Sequence, residues 1–297
     1  MDVKSIARAA RDRGGFTLVE VLVTAAVLGV LLTSVLGIFN AQQKTYTVQT
    51  AVSDMQQNGR AALGILARDI RSGGFGVPNE AALLVVNSNS APDSITVTGD
   101  YAGGESTEVL THNKASKYFT VASGVYGADA VGSEMMLFDD SDYHAVTVSA
   151  FTSGATDRLD YDTSSSPINY SVGQNKDYTG GTATTASPRT YQIDTSIAGR
   201  PRLMRGGAVI AEDIEDLQIA YGLDADGDGV VEAWSSAPSD ATEVRLVRVS
   251  LIARSAAPAP NWNGSRPGLE DRPPAGAADG YRRMVLQTTE MICNLPL

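Results

Sequence analysis

The sequence has little of what most enzyme active sites and disulfide-stabilised domains require. It contains one cysteine, Cys293, and two histidines, His112 and His144. A single cysteine cannot close a disulfide within the chain, and two histidines cannot form a three-histidine metal centre. The sequence motifs of serine hydrolases, zinc proteases and phosphate-binding loops are also missing. The sequence therefore predicts a protein that is not an enzyme, with His144 on a sheet face and Trp234 and Trp262 as packing residues.

Clustered positive charge is equally scarce. The 297 residues include 34 Asp and Glu against 23 Lys and Arg, a net charge of -11. Binding to nucleic acid needs clustered basic side chains, so nucleic acid is excluded as a main partner. The exception is residues 1–15, which carry Lys4, Arg8, Arg11 and Arg13 against Asp2 and Asp12.

A long apolar run follows this basic segment. From Phe16 to Phe39 the only charged residue is Glu20. A helix of that length is roughly 36 Å long, enough to cross a bilayer of roughly 30 Å. The run is too long for the apolar part of a secretory signal, and its basic flank predicts a cytoplasmic N-terminus. We expect a single membrane span with the C-terminal part on the side away from the cytoplasm.

The boundary signals lie before the apolar run rather than after it. Gly14-Gly15 is followed by Phe16-Thr17-Leu18-Val19-Glu20. This string resembles the signal of type IV pilins and type II secretion pseudopilins. The resemblance implies cleavage after Gly15 by a prepilin peptidase, N-methylation of Phe16, and Glu20 as fifth residue of the mature chain. An ordinary uncleaved anchor with a chance glutamate is the alternative.

Glu20 also has a physical interpretation of its own. A carboxylate within an apolar span costs about 2.5 to 3.5 kcal/mol on insertion scales, so it is usually paired or functional. In a pilin-like filament its partner would be the N-terminal amine of a neighbouring subunit, which makes Glu20 an assembly residue. The alternative is an unpaired acid tolerated near the membrane interface.

The helical period continues beyond the span. Apolar and small residues recur at intervals of three and four: Val48, Val52, Met55, Gly59, Ala62, Leu66 and Ile70. Gly73-Gly74 should end this helix. Arg60, Arg68, Asp69 and Arg71 are predicted to form a solvated or capping face, with a binding patch as the alternative. The resemblance also covers the Arg68-Asp69 pair, which the pilin family commonly carries.

These patterns predict an α+β fold in which a long N-terminal transmembrane and amphipathic helix packs on a C-terminal antiparallel β-sheet domain, the lollipop architecture of pilins. We expect a cleaved basic leader at 1–15, a transmembrane and filament-core helix at 16–39, its amphipathic continuation at 40–72, and a β-rich periplasmic or extracellular head at 73–297.

Short β-type runs separated by turn residues occupy the head. Predicted strands are Leu83 to Val86, Ser94 to Thr98, Glu108 to Thr111, Tyr118 to Ala122, Met135 to Phe138, Tyr143 to Phe151, Arg189 to Ile193, Leu203 to Arg205, Ala211 to Asp216, Leu217 to Leu223, Val244 to Ile252 and Met284 to Ile292. Residues 152–188 and 256–280 are predicted to be loops because they are rich in Ser, Thr, Gly or Pro.

The C-terminal third carries a second resemblance. Ile214 to Gly222, an Asp-rich turn, Trp234, Val244 to Val249 and Tyr281 to Leu286 resemble the C-terminal half of PilW-type minor pilins. The resemblance covers roughly residues 200 to 295, and Cys293 stands where an arginine would be expected.

An acidic string interrupts these strands. Asp224, Asp226 and Asp228 alternate and are followed by Gly229, as in the first half of an EF-hand loop. Val230 would offer a carbonyl and Glu232 a direct or water-bridged carboxylate, while Ser235 replaces the bidentate glutamate at the twelfth position. The string predicts a Ca²⁺ site, with a solvated acidic turn as the alternative.

The resemblances together predict a minor pilin of a type IV pilus that primes assembly or forms its tip. Expected partners are other major and minor pilins, prepilin peptidase and the inner-membrane assembly platform. Two alternatives remain: a J-type pseudopilin of type II secretion, or a membrane-anchored calcium-dependent adhesin.

Overall fold

The computed structural model describes residues 15, 17–101, 106–162, 176–239, 243–259, 262–274 and 276–292, without the side chains of 79, 80 and 85. Residues 1–14 of the predicted leader, Phe16 and Cys293 lie outside these residues. The chain divides into two compact units, Met1–Thr50 and Ala51–Leu297. The boundary therefore falls within the predicted 40–72 segment.

One long helix, α1 (Leu18–Ser72), contributes to both units. In the first unit its side chains are exposed apart from half-buried Val48. In the second unit its predicted apolar stripe is buried from Met55 through Gly59 and Leu66 to Ile70. Gly73 and Gly74 follow the helix, and Gly74 has a φ of 78°, a conformation that suits glycine at a helix end.

The second unit adds a short helix, α2 (Asn79–Ala82), and sixteen described strands. The strands are β1 (Leu83–Val86), β2 (Ser94–Val97), β3 (Thr107–Glu108), β4 (Thr111–Asn113), β5 (Tyr118–Ala122), β6 (Glu134–Phe138), β7 (Tyr143–Thr152), β8 (Thr156–Asp162), β9 (Thr182–Thr185), β10 (Arg189–Asp194), β11 (Arg202–Arg205), β12 (Ala208–Glu212), β13 (Ile214–Leu223), β14 (Ala233–Ser235), β15 (Val244–Arg254) and β16 (Arg283–Met291).

Two antiparallel sheets pack with α1. Sheet I has the order β1-β2-β10-β11-β12, and sheet II the order β14-β13-β15-β16. Leu66 and Ile70 of α1 share a core with inward-facing residues of both sheets, including Tyr191 of sheet I and Val249 of sheet II. Gly59 allows close packing here, because a Cβ there would lie 2.6 Å from Leu286 Cδ1 and the Leu286 side chain would have to shift. The chain thus has the predicted α+β fold.

The remaining strands form a small closed barrel. They follow the order β3-β9-β6-β7-β8-β5-β4, and β3 and β4 are two parts of the segment Thr107–Asn113. This segment pairs with β9 through β3 and with β5 through β4, so it closes the barrel. The interior is filled by apolar side chains such as Phe119, Leu137 and Leu159.

The barrel is inserted between two neighbouring strands of sheet I. In the sequence, the barrel strands lie between β2 and β10, yet in sheet I Val97 of β2 pairs directly with Arg189 of β10. Its outer face packs against the segment before β1, where Met136 and Tyr143 meet Val77 and Ala81.

The prediction of a loop over 152–188 is wrong for the described part of that segment. It contains β8, a central barrel strand, and β9. In β8 the buried positions alternate through Asp157, Leu159 and Tyr161, a period-two pattern that the many Ser and Thr residues around it obscure.

Two predicted strands are divided in the structure. The predicted run from Ala211 to Asp216 breaks at Asp213, whose φ of 58° turns the chain between β12 and β13. The predicted run from Glu108 to Thr111 is interrupted where the closing segment changes partner from β9 to β5. No strand lies in the described residues of the predicted 256–280 loop.

Candidate functional site

The N-terminal end of α1 places the predicted processing and assembly residues close together. Gly15 is exposed and directly precedes the undescribed Phe16. The Glu20 amide donates a hydrogen bond of 3.2 Å to Thr17 Oγ1. A threonine followed three residues later by glutamate is the spacing of a capping box, and a carboxylate in the first helical turn complements the helix dipole. Glu20 therefore suits the start of the helix.

The apolar part of α1 is long and apolar enough to cross a membrane. Its large side chains are uncovered, with Leu22 and Leu36 61% and 59% exposed. The hydroxyls of Thr24 and Ser34 donate to carbonyls one turn earlier, at 2.6 and 2.9 Å, so they need no water as a partner. Such an apolar surface fits a membrane-anchored helix.

Asp69 lies at the other end of α1 and is completely buried. Its carboxylate accepts hydrogen bonds from the Tyr191 hydroxyl at 2.6 Å and from Arg189 Nη1 at 2.8 Å. Arg205 Nη1 donates to the same carboxylate at 3.2 Å, and Tyr191 and Arg205 are paired across β10 and β11. The prediction of a solvated face is therefore wrong for Asp69. Three residues after Leu66, it falls on the buried side of the helix, and it joins α1 to sheet I.

Burial and the Asp69 carboxylate keep the tyrosine of this cluster protonated. Burial raises the pKa of Tyr191, and the hydrogen bond to Asp69 raises it further. The Arg189 guanidinium stacks 3.6 Å from the ring centre of Tyr101, whose pKa burial raises to about 12. The cluster thus holds one carboxylate between two guanidinium groups and a neutral phenol.

The predicted calcium ligands come together in the loop between β13 and β14. Each of Asp224, Asp226, Asp228 and Glu232 offers a carboxylate oxygen, and these oxygens all lie within 4.8 Å of one another. Asp224 is buried, whereas the other three are exposed. Gly227 and Gly229 have φ values of 77° and 86°, so the loop turns at positions where glycine is favoured.

Asp224 organises this loop. Its Oδ1 accepts the Gly227 amide at 2.7 Å, and its Oδ2 accepts the Gly229 amide and Arg245 Nε, both at 3.0 Å. Burial opposes ionisation of Asp224, but the hydrogen bonds from Arg245 and the two amides outweigh it and lower the pKa. Arg245 therefore supplies a positive charge to the loop from within the chain.

The outer carboxylates are held by local backbone hydrogen bonds. Asp226 Oδ1 accepts the Asp228 amide at 3.2 Å, and Asp228 Oδ1 accepts the Val230 amide at 2.8 Å. Glu232 Oε2 accepts the Ala225 amide at 3.1 Å. The Val230 side chain is 60% exposed. Each of these carboxylates thus keeps an oxygen or lone pair for a cation.

Val231 anchors the end of the loop. A Cβ at Gly222 would lie 3.1 Å from both Val231 methyl groups, so the glycine leaves room for them.

The donor set of this loop consists of oxygens only, which suits a hard cation such as Ca²⁺. These oxygen-bearing residues therefore fit a Ca²⁺ ion.

Several residues of these sites carry no signal in the sequence. Arg189, Tyr191, Arg205 and Arg245 are far from their acidic partners along the chain. Strand alternation could have indicated that Tyr191 faces inward, but a partner on α1 depends on the tertiary structure.

The structure shows where His144 and the two tryptophans lie. His144 is a buried residue of β7. Arg248 stacks 4.1 Å from the Trp234 ring and Arg282 stacks 4.2 Å from the Trp262 ring. Both tryptophans thus pack against arginines while remaining about two-fifths exposed, at 41% and 42%.

Comparisons with known proteins match both ends of the chain. The family described as type IV pilus-assembly protein W matches residues 190–294, and the prokaryotic N-terminal methylation motif matches residues 10–36. No curated protein matched the sequence. A type IV-like pilin from Thermus thermophilus is similar with 13% identity and a TM-score of 0.38, over 84% of this chain and 96% of that one.

The first match spans β10 to β16, which include all of sheet II, and the second contains Glu20 and the apolar start of α1. In these two regions the chain is similar to PilW-type pilus-assembly proteins and to proteins that carry an N-terminal methylation motif.

Proposed function

We propose that the protein is a minor pilin of a type IV pilus, anchored in the bacterial inner membrane and later incorporated into the pilus, where it primes assembly or forms the tip. The observation that carries this proposal is the methylation-motif match over residues 10–36, which falls on a membrane-length helix with uncovered side chains. The PilW match over residues 190–294 favours a pilus over type II secretion.

Processing is the first step of this proposal. A prepilin peptidase would cut between Gly15 and Phe16, and Phe16 would then be N-methylated. Gly15 is exposed, no atom of the described residues beyond its chain neighbours lies within 4 Å of the position of a Cβ, and α1 begins only at Leu18. Cleavage there would leave the helix whole.

Assembly is the second step. The apolar part of α1 would leave the lipid and pack among the N-terminal helices of other pilins, delivered by the inner-membrane assembly platform. Glu20 would pair with the amine of a neighbouring mature subunit, because an unpaired carboxylate among apolar helices is costly. The C-terminal part of the chain would face the periplasm and then the cell surface. This role is structural and uses no catalytic residues.

Calcium is a further part of the proposal. Asp224, Asp226, Asp228 and Glu232, with the Val230 carbonyl, would hold Ca²⁺ between β13 and β14. The close approach of four carboxylate oxygens supports this assignment. The ion would reduce repulsion among the exposed carboxylates and fix the connection between two strands of sheet II.

The proposed function is tested in a deletion strain. Loss of piliation or twitching motility with normal secretion, and the presence of the protein in sheared filaments by mass spectrometry, is the expected result. A secretion defect with normal pili would instead support a J-type pseudopilin. Retention of the full leader in a cell-surface form would support an anchored calcium-dependent adhesin.

A further inference from the structure

The segment that closes the barrel contains one buried histidine, His112. Thr107–Asn113 is the strand that pairs with both β9 and β5. His112 lies on β4 within it, and its side chain is 1% exposed. The His112 amide also donates to Thr179 Oγ1 at 3.0 Å. The contacts of this ring therefore bear directly on barrel closure.

The hydrogen bonds of His112 define its protonation state. The Tyr178 amide donates to Nδ1 at 3.2 Å, so Nδ1 carries no proton. The ring proton is on Nε2, which donates to the Tyr161 hydroxyl at 2.8 Å. Both ring nitrogens are used by the neutral form. A proton added at Nδ1 would face the Tyr178 N–H and break that bond.

The groups around His112 give a protonated ring one alternative partner. Asp177 Oδ1 lies 3.7 Å from Nδ1, and its side chain is 63% exposed. Lys114, directly after β4, opposes a second positive charge nearby. Lys176 is paired with Asp139 and lies 3.6 Å from Asp142, so it adds little net charge.

His144 adds a second group to the barrel interior. It lies on β7 with its ring centre 6.1 Å from that of Tyr161, and its buried Nδ1 has no hydrogen-bond partner among the described residues. The pKa of His112 and that of His144 are both lowered, chiefly by burial. Burial raises the pKa of Tyr161 to about 12, so its hydroxyl stays neutral. On β5, the residue paired with His112 is Phe119, which is apolar.

We propose that His112 is an acid-sensitive closure of the barrel, whose protonation exchanges the bond to the Tyr178 amide for the Asp177 carboxylate and frees the closing segment from β9. The effect has a defined direction. A histidine whose pKa is lower in the folded state than in the unfolded chain does not change the stability of the barrel at pH values above its ordinary pKa. It destabilises the barrel as the pH falls from there towards the pKa of the folded state. The barrel is therefore closed at neutral pH and opens on acidification, while sheets I and II remain folded.

Hydrogen exchange of the full chain in detergent tests this proposal. Protection factors, corrected for the intrinsic effect of pH, are compared at about pH 7.5 and about pH 5, on either side of the ordinary histidine pKa. We expect protection of residues 107–113 and 178–185 to fall by up to about tenfold for each unit by which the His112 pKa is lowered. Protection of β13 and β15 should stay unchanged. Equal protection of the closing segment at both pH values would overturn the proposal.

Two variants separate His112 from other groups. His112→Gln can accept from Tyr178 and donate to Tyr161 without titrating, so its barrel should stay closed at the lower pH. His144→Gln leaves the His112 bonds in place and should still open. Opening of His112→Gln to the same extent as the unaltered chain would contradict the proposal.

A third measurement applies if His112→Gln does not fold. In the unaltered chain, NMR signals of the His112 ring and the Tyr178 amide should then titrate together. A His112 titration that leaves the Tyr178 amide unchanged would also overturn the proposal.

Discussion

Asp69 is the residue on which the attachment of α1 to sheet I most depends. Asp69→Asn leaves Arg189 and Arg205 without their shared carboxylate. The side chains of these two arginines are 31% and 32% exposed, so they can be solvated once the carboxylate is gone. We therefore expect the free energy of unfolding to fall by about 1.5 to 3 kcal/mol, the value of hydrogen bonds to a charged group. Chemical denaturation of a fragment beginning at Gln49 measures it. The exposed Asp54→Asn on the same helix is the matched control and should change stability by less than about 0.5 kcal/mol. Equal effects of the two variants would contradict the role assigned to Asp69.

A pair of variants can separate the place of Glu20 in the first turn of α1 from its proposed pairing role in assembly. Glu20→Gln removes the charge, so membrane insertion should be retained while incorporation into filaments falls, because the pairing with a neighbouring amine is lost. Thr17→Ala removes the cap of the same helical turn and keeps the carboxylate, so it should still be incorporated. Immunoblots of membranes and sheared filaments give both quantities. Normal incorporation of Glu20→Gln, or an equal defect in Thr17→Ala, would show that the carboxylate has no pairing role.

At the scale of elements, the loop between β13 and β14 should respond to calcium. A loop without its twelfth-position carboxylate belongs with weak sites, whose dissociation constant is roughly 10⁻⁴ to 10⁻³ M. Free ion about tenfold above that value would stabilise the fragment by about 1.4 kcal/mol. Thermal unfolding in EDTA, excess Mg²⁺ and Ca²⁺ measures the gain, which Asp226→Asn should abolish and Asp54→Asn should not.

Arg245 offers a sharper version of the same experiment. It already supplies a positive charge to Asp224, so Arg245→Gln should lower stability in EDTA and enlarge the gain from calcium. Identical melting curves in all three buffers, for the unaltered fragment and for Arg245→Gln, would contradict the calcium site and support a solvated acidic turn.

The elements differ in how far the sequence could predict them. The long helix and strands such as Tyr118–Ala122 were predictable, because periodicity and local turn residues determine them. The barrel was not, since its closure depends on one short segment pairing with two strands distant in sequence. Asp69 shows the same limit. Its place on the buried side of α1 follows from helical spacing, but the arginines and tyrosine that make its burial possible come from sheet I.

For the whole molecule, processing should give a mature chain that begins at Phe16. Intact-mass measurement of the protein from filaments should show loss of residues 1–15 and addition of one methyl group. Gly15→Val should block this change because the resemblance requires glycine before the cut. Gly29→Ala, at a helix position with open space around it, should be processed normally. A full leader in assembled material would rule out the pilin pathway.

The insertion of the barrel between β2 and β10 also has a consequence for folding kinetics. Sheet I cannot form until Val97 and Arg189 meet, and residues 98–188 separate them. Bringing distant residues together costs entropy that grows with the length of flexible chain between them. A folded barrel removes most of that flexible chain and holds its own two ends as neighbours. The barrel should therefore form first, and sheet I should follow as a later and slower step of folding.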